Sequence, residues 1–242
     1  MKLPPLKLSA PIYRLKRRAR VLSRAEHIPL NAALDRVAGE EGFSNWSLLA
    51  ARGAATGPSR DLLARLNPGD LVLLAARPGH GKTLMSLELI VEAIKRGRYG
   101  VFFTLEYNEN EVLDRIRKVA GDPATLSDRF AFDTSDAINA DYIINRLAAA
   151  PSGAVVVIDY LQLLDQKREN PTLMAQVRAL KSLAADRGLI IVFISQIDRS
   201  YDPSSRPCPG LEDVRLPNPL DLTLFDKTCF LNDGKVQIAA TN

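Results

Sequence analysis

The stretch from Leu71 to Thr83 constrains the fold of this chain more than any other. Leu71 to Ala76 is six apolar residues in a row, the pattern of a strand covered on both faces in a parallel sheet. It runs into Ala76-Arg77-Pro78-Gly79-His80-Gly81-Lys82-Thr83, and Lys82 to Arg96 then reads as a helix. Gly-x-x-x-x-Gly-Lys-Ser/Thr between a strand and a helix is the template of a phosphate-binding loop (P-loop). Every position fits except the first, where Ala76 stands in place of Gly. Successive backbone N–H groups of such a loop form an anion nest at a helix N-terminus, and Gly79 and Gly81 let the chain turn closely around phosphate oxygens. Lys82 suits the β- and γ-phosphates, and Thr83 can offer its hydroxyl to Mg²⁺. Arg77, Pro78, Gly79, His80, Gly81, Lys82 and Thr83 are therefore the candidate nucleotide-binding residues. His80 reads as a loop side chain facing solvent.

The rest of the chain supplies the layers such a loop needs. Strands are expected over Gly100 to Leu105, Phe130 to Asp133, Ala154 to Ile158 and Leu189 to Ser195. Helices are expected over Asn108 to Ala120, Asp141 to Ala149 and Thr172 to Asp186. This alternation predicts an α/β fold, a mainly parallel sheet with helices on both faces. Residues 198–220, rich in Pro, Asp and Arg, read as a long loop. Lys227 to Leu231 and Lys235 to Ala240, around Asn232-Asp233-Gly234, read as a β-hairpin. Ahead of the α/β region, residues 1–12 with Pro4, Pro5 and Pro11 read as an irregular arm. Tyr13 to Arg24 reads as a basic helix with Leu15 and Val21 or Leu22 on its apolar side. Leu30 to Val37 reads as a helix opened by Pro29 and ending near Gly42, and Ser44 as the cap of a short helix with Trp46, Leu48 and Leu49. Phe43 and Trp46 fit the core of this small helical element, and His27 a connecting residue. Gly53 to Ser59 reads as a linker. The expected division is a basic arm with a small helical element over 1–59 and an ATPase-type domain over 60–242.

A P-loop works with an acid on the metal side, and Val155-Val156-Val157-Ile158-Asp159 offers one at the end of an apolar strand. Asp159 would hold Mg²⁺ beside Thr83. Hydrolysis also needs a group that orients or deprotonates water. Glu106 follows the strand Gly100 to Leu105, and Gln196 follows Leu189 to Ser195. In a parallel sheet these strand ends open on the same edge as the P-loop, where ligands bind. The plain alternatives are an aspartate that only ends its strand, a solvent-facing glutamate and a glutamine that only caps its strand.

Charge and composition narrow the class further. Residues 1–24 hold Lys2, Lys7, Arg14, Lys16, Arg17, Arg18, Arg20 and Arg24 and no acid, leaving the remainder at −4 of a net +4. Such an arm is a footprint of nucleic acid or acidic membrane contact, or simply a solvated helix face. Arg14, Lys16, Arg17, Arg18 and Arg20 are the candidate nucleic-acid contacts. Two cysteines, Cys208 and Cys229, cannot build a disulfide framework and lack zinc-ligand spacing; they fit small apolar residues in a reducing cell. No apolar run approaches the roughly 18 residues of a membrane span, and no apolar h-region follows the basic N-terminus. The expectation is a cytoplasmic protein without membrane contact.

Together these segments resemble the DnaB-type replicative helicases. Ala75 to Thr83 is similar to their P-loop, and Thr104-Leu105-Glu106 to their Ser-Leu-Glu. Arg115 falls where they place an Arg. Ile158-Asp159-Tyr160-Leu161-Gln162-Leu163-Leu164 is similar to their Walker B segment, and Ser195-Gln196 followed by Arg199-Ser200 to their Ser-Gln-Leu-Asn-Arg-Ser. The resemblance spans about residues 66–231 and implies a RecA-like ATPase core using ATP and Mg²⁺. It implies Glu106 as general base, Lys82 as a catalytic phosphate ligand, Gln196 as γ-phosphate sensor, single-stranded DNA as partner and a homo-oligomer such as a hexamer. The chain departs from the family in its short N-terminal part and in showing no Lys-x-Arg-x-Gly element before Asn242. Arg206 and Arg215 are then the candidates for an arginine acting in trans. The alternative is an ATP-dependent switch or adaptor with slow hydrolysis and no unwinding.

Overall fold

The computed structural model describes residues 8–10, 12–165, 167, 169–216, 218–233 and 235–241. Most of the arm expected over 1–12, and Gly234 of the hairpin turn, lie outside them. The chain divides into two compact units, Met1–Asp61 and Leu62–Asn242.

The first unit is built on α1 (Ile12–Ala25), α2 (Leu30–Glu40) and α3 (Trp46–Thr56). Leu15, Ala19, Ala33, Val37, Ala38 and Leu49 form its core, with Leu22, Phe43 and Trp46 packed against it. Leu15, Ala19 and Leu22 recur at i, i+4 and i+7, so they share one stripe of α1. Val21 falls off that stripe and is 62% exposed, which removes it from the expected apolar side. The cap of α3 is Asn45, not Ser44: its side chain accepts the Leu48 N–H at 2.9 Å, and Asp35 accepts the Trp46 N–H at 2.8 Å. Asn caps as well as Ser, and the register of the first turn decides between them. The linker expected at 53–59 is largely helical. α3 runs to Thr56, and α4 (Pro58–Leu63) starts one residue later with Pro58 in its first turn, where the missing N–H costs nothing.

The second unit is a seven-stranded sheet. Its elements in chain order are β1 (Leu71–Ala76), α5 (Lys82–Lys95), β2 (Gly100–Thr104), α6 (Glu109–Ala120), β3 (Phe130–Asp133), α7 (Ala140–Arg146), β4 (Val155–Asp159), α8 (Leu173–Arg187), β5 (Ile190–Gln196), β6 (Lys227–Asn232) and β7 (Lys235–Ala240). The spatial order is β3-β2-β4-β5-β1-β6-β7. All neighbours are parallel except β6 and β7, which form the expected antiparallel hairpin. Alternate residues of the central strands enter opposite cores. Leu71, Leu73, Val156, Ile158, Ile191 and Phe193 pack with Val177 and Leu180 of α8. Val72, Leu74, Val155, Val157, Val192 and Ile194 pack with Leu87 and Ile90 of α5 and Ile116 of α6. Helices on both faces are why β1, β4 and β5 read as unbroken apolar runs.

Close packing of α5 on β2 rests on Gly100. A Cβ there would lie 2.4 Å from Ile90 Cγ2. Gly100→Ala is expected to destabilise this unit by about 1–3 kcal/mol through overpacking, read as a lowered denaturant midpoint at an unchanged slope.

Residues 198–216 and 218–220 form the expected long loop, and it is tucked against the core. Tyr201, Cys208, Val214 and Leu220 are buried in the α8-side core, and Ile197 pairs with Val214 in an antiparallel bridge. Arg206 donates to both oxygens of Asp213 at 2.9 Å and also pairs with Glu212. The Asp213 carboxylate in turn accepts the Gly210 N–H at 2.7 Å. The apolar residues scattered among the prolines anchor the segment, which its polar composition obscures.

Candidate functional site

The carboxyl ends of β1, β2, β4 and β5 bring the candidates of the second unit to one edge. The strand registers set this directly: Thr104 lies opposite Asp159, Asp159 opposite Ile194, and Ala76 opposite Gln196. The loop after β1 has Gly79 at φ +80° and Gly81 at φ +87°, a conformation that strains any side-chain-bearing residue. A Cβ at either would meet nothing within 4 Å, so backbone conformation and not crowding calls for glycine there. Gly81 is the cap of α5 and offers its first-turn N–H groups no side-chain acceptor of its own. Lys82 and Thr83 follow as the first two residues of α5, each 8% exposed.

Thr83 and Asp159 meet in the interior. The Thr83 hydroxyl donates to Asp159 Oδ2 at 3.1 Å. Asp159 is fully buried, and its Oδ1 has no hydrogen-bond partner among the described residues. Burial pushes its carboxyl up to about 7; the nearby Glu106 charge adds to this, while the Thr83 hydrogen bond, Lys82 and Arg115 act against it. An orphaned carboxylate oxygen beside a threonine hydroxyl fits a small divalent cation. Among the described residues no group of three His, Cys, Asp or Glu could hold a metal. Thr83 and Asp159 would therefore hold Mg²⁺ together with phosphate oxygens and water, the usual habit of that ion.

Glu106 sits just past β2 with its side chain exposed, and its N–H donates to Thr104 Oγ1 at 3.1 Å. It is close enough to Asp159 for its charge to act there. Two residues on, Asn108 and Glu111 form a reciprocal capping box that starts α6 and fixes where the chain leaves the site. Gln196 ends β5 beside the start of the P-loop, and its carbonyl accepts the Arg215 N–H at 2.8 Å.

Several contacts have no signal in the sequence. Tyr107 lies against the site: burial raises its pKa, and the neighbouring Thr83 side chain acts against this. The Arg115 guanidinium stacks over its ring, 3.8 Å from the centroid. Nothing in the spacing marks Tyr107 beyond its place after Glu106. Gln162 donates to the Arg215 carbonyl at 2.7 Å and to Ser195 Oγ at 3.3 Å, tying the end of the tucked loop to β5. Gln162→Ala is expected to loosen this tie, seen as faster amide exchange at Arg215 with the strand core still protected. His80 does not simply face solvent. It is half-buried, and its Nδ1 accepts the Asp233 N–H from the hairpin turn at 3.2 Å.

The remaining candidates stand apart by element. Arg14, Lys16, Arg17, Arg18 and Arg20 lie exposed on α1 in the first unit, with Arg18 paired to Glu40. Of the two arginines considered for action in trans, Arg206 is held by Asp213 and Glu212 within its own loop, and Arg215 is exposed. Cys208 and Cys229 are buried free thiols, and burial pushes Cys229 up to about 12, so both stay protonated. No helix among the described residues is long and apolar enough to cross a membrane.

Sheet, P-loop and acid define a P-loop ATPase of RecA-like fold. The family model described as the KaiC ATPase matches residues 61–214, and the chain belongs to that family. It is also similar to DnaB-type replicative helicases. The replicative DNA helicase DnaB of Leifsonia xyli is 25% identical over 224 residues, covering 78% of this chain and 49% of that protein. A probable plasmid replicative DNA helicase of Chlamydia muridarum is 28% identical over 179 residues, covering 61% of this chain and 39% of its own length. The chain thus spans about half the length or less of these curated relatives. Among solved structures, one described as an ATPase domain superposes with a TM-score of 0.53 at 21% identity, over 76% of this chain and 80% of that one. A DnaB-like replicative helicase described with its primase interactions gives 0.56 at 17% identity, over 90% and 64%. Both share the fold.

Proposed function

We propose that the chain is a Mg²⁺-dependent ATPase of the DnaB helicase type that acts on single-stranded DNA as a homo-oligomer such as a hexamer. The observation that carries the ATPase reading is the Thr83–Asp159 pair with its unpartnered oxygen at the mouth of the P-loop. Bound Mg²⁺ would supply charge neutralisation between the β- and γ-phosphates. Around it, the backbone N–H groups of Gly79, Gly81, Lys82 and Thr83 bind phosphate oxygens, and the Lys82 side chain brings a positive charge to the transferring group. Glu106, exposed at the rim, orients and deprotonates the attacking water. Gln196 contacts the γ-phosphate, and its loss is passed to the 198–220 loop through the Gln196–Arg215 and Gln162–Arg215 hydrogen bonds. The DNA partner is supported by the similarity to replicative helicases.

A second reading, an ATP-dependent switch with slow turnover and no unwinding, is favoured by the engagement of Arg206 within its own loop. An arginine acting in trans contributes about 10³–10⁵ in rate in P-loop enzymes. Steady-state ATP hydrolysis titrated with single-stranded DNA separates the two. The motor reading expects strong stimulation that Glu106→Gln lowers by about a hundredfold or more. A low rate indifferent to DNA at low salt and high protein concentration would overturn it and leave the switch.

A further inference from the structure

We infer that helix α1 docks on the phosphate backbone of duplex DNA. α1 carries six cations, Arg14, Lys16, Arg17, Arg18, Arg20 and Arg24, and no acid. Its apolar stripe is already used in the three-helix core. On the other side, Lys16, Arg17, Arg20 and Arg24 share one exposed face, because residues three and four apart are neighbours on a helix. Four acids of this unit have partners other than Lys16, Arg17, Arg20 and Arg24. Glu40 pairs with Arg18, Glu26 with Arg36, Glu41 accepts from Ser9, and Asp35 from the Trp46 N–H. Among the described residues no carboxylate pairs with Lys16, Arg17, Arg20 or Arg24. Lys16 with Arg20, and Arg20 with Arg24, are like charges at i,i+4, an arrangement that weakens a helix. An anionic partner reverses that penalty.

The same geometry selects among polyanions. A helix that lies on an acidic membrane needs an apolar face to insert, and the apolar face of α1 is buried in the bundle, leaving Val21 as an isolated exposed residue. A helix of 14 residues is about 21 Å long, enough to span several phosphates of a duplex. A fixed row of charges matches a rigid duplex, whereas a flexible single strand must be ordered to meet it. The contact is to phosphates, so it is independent of sequence.

The inference stands apart from the ATPase reading, because binding is measured without nucleotide. A short labelled duplex and a single strand of the same length are titrated with the full chain by fluorescence anisotropy between about 50 and 200 mM salt. The expected result is duplex binding whose affinity falls steeply with salt. Combining Lys16→Gln, Arg17→Gln and Arg20→Gln should flatten the slope of log affinity against log salt by about 2.7, at about 0.9 per phosphate contact. The charge-retaining combination Arg17→Lys with Arg20→Lys should keep the slope. An unchanged slope in the glutamine variant, with an unchanged melting temperature, overturns the inference. So does a glutamine variant that loses single-strand binding but keeps duplex binding, or capture by anionic vesicles that duplex does not compete away.

Discussion

Lys82→Ala is expected to lower ATP turnover by about a thousandfold, the scale of removing one preorganised group that meets developing charge. Lys82 is the first residue of α5 and 8% exposed. Its charge acts on Asp159. Nucleotide phosphates would give that charge its counter-charges. Two readouts follow. Turnover should fall by that factor, and the melting temperature without ligand checks that the variant still folds. Saturating ATP with Mg²⁺ should stabilise the parent chain by about 2.7 kcal/mol at a hundred times its Kd and leave the variant unmoved. Stabilisation of the variant by ATP as large as that of the parent would place the phosphates elsewhere.

Asp159→Asn is expected to do two opposite things. It should stop hydrolysis, since an amide is a poor ligand for Mg²⁺ in place of a carboxylate, and it should make the metal-free protein more stable above neutral pH. The sign follows from the raised pKa. In the folded chain the Asp159 carboxyl sits at about 7, above its ordinary 3.8. The folded state therefore holds this proton more tightly than the unfolded state. The burial penalty is absent below pH 3.8, grows as pH rises towards 7, and is complete above it. At 1.36 kcal/mol per pH unit it reaches about 4 kcal/mol. Asparagine cannot ionise and can still accept the Thr83 hydrogen bond. Denaturant unfolding with chelator should show the variant near parity at about pH 4 and more stable by a few kcal/mol at about pH 8. A stability difference independent of pH would falsify this account.

The parts of the fold most legible in the sequence are those where one physical demand dominates. β1, β4 and β5 are covered on both faces, so their apolar runs have no polar interruptions and their ends are visible to within a residue or so. Glycines at positive φ beside a lysine and a threonine leave few alternatives to a phosphate loop. Where two short-range solutions have similar energies, local pattern does not decide. Ser44 and Asn45 are both good caps, and only the register of α3 chooses Asn45. Gly53 to Ser59 has the composition of a linker but forms helix on both sides of Gly57. The contacts of Gln162 and His80 depend on partners far along the chain. His80 meets Asp233 across 153 positions, which no local pattern encodes. Arg206 illustrates the same limit: its availability depends on Asp213 folding back towards it, not on its neighbours in sequence.

Folding during synthesis inherits the order of the sheet. Residues 77–83 leave the ribosome early, but the strand that carries them sits between β5 and β6. Leu71 pairs with Ile191, and Val72 with Lys227. A nascent chain must therefore close two loops of more than a hundred residues before β1 has both neighbours, the kind of long-range pairing that folds slowly. Until then the sequence of the phosphate loop is present but its scaffold is not. Nucleotide affinity is consequently among the last properties the emerging polypeptide acquires, and it reports on completion of a sheet whose flanking strands are made long after the loop itself.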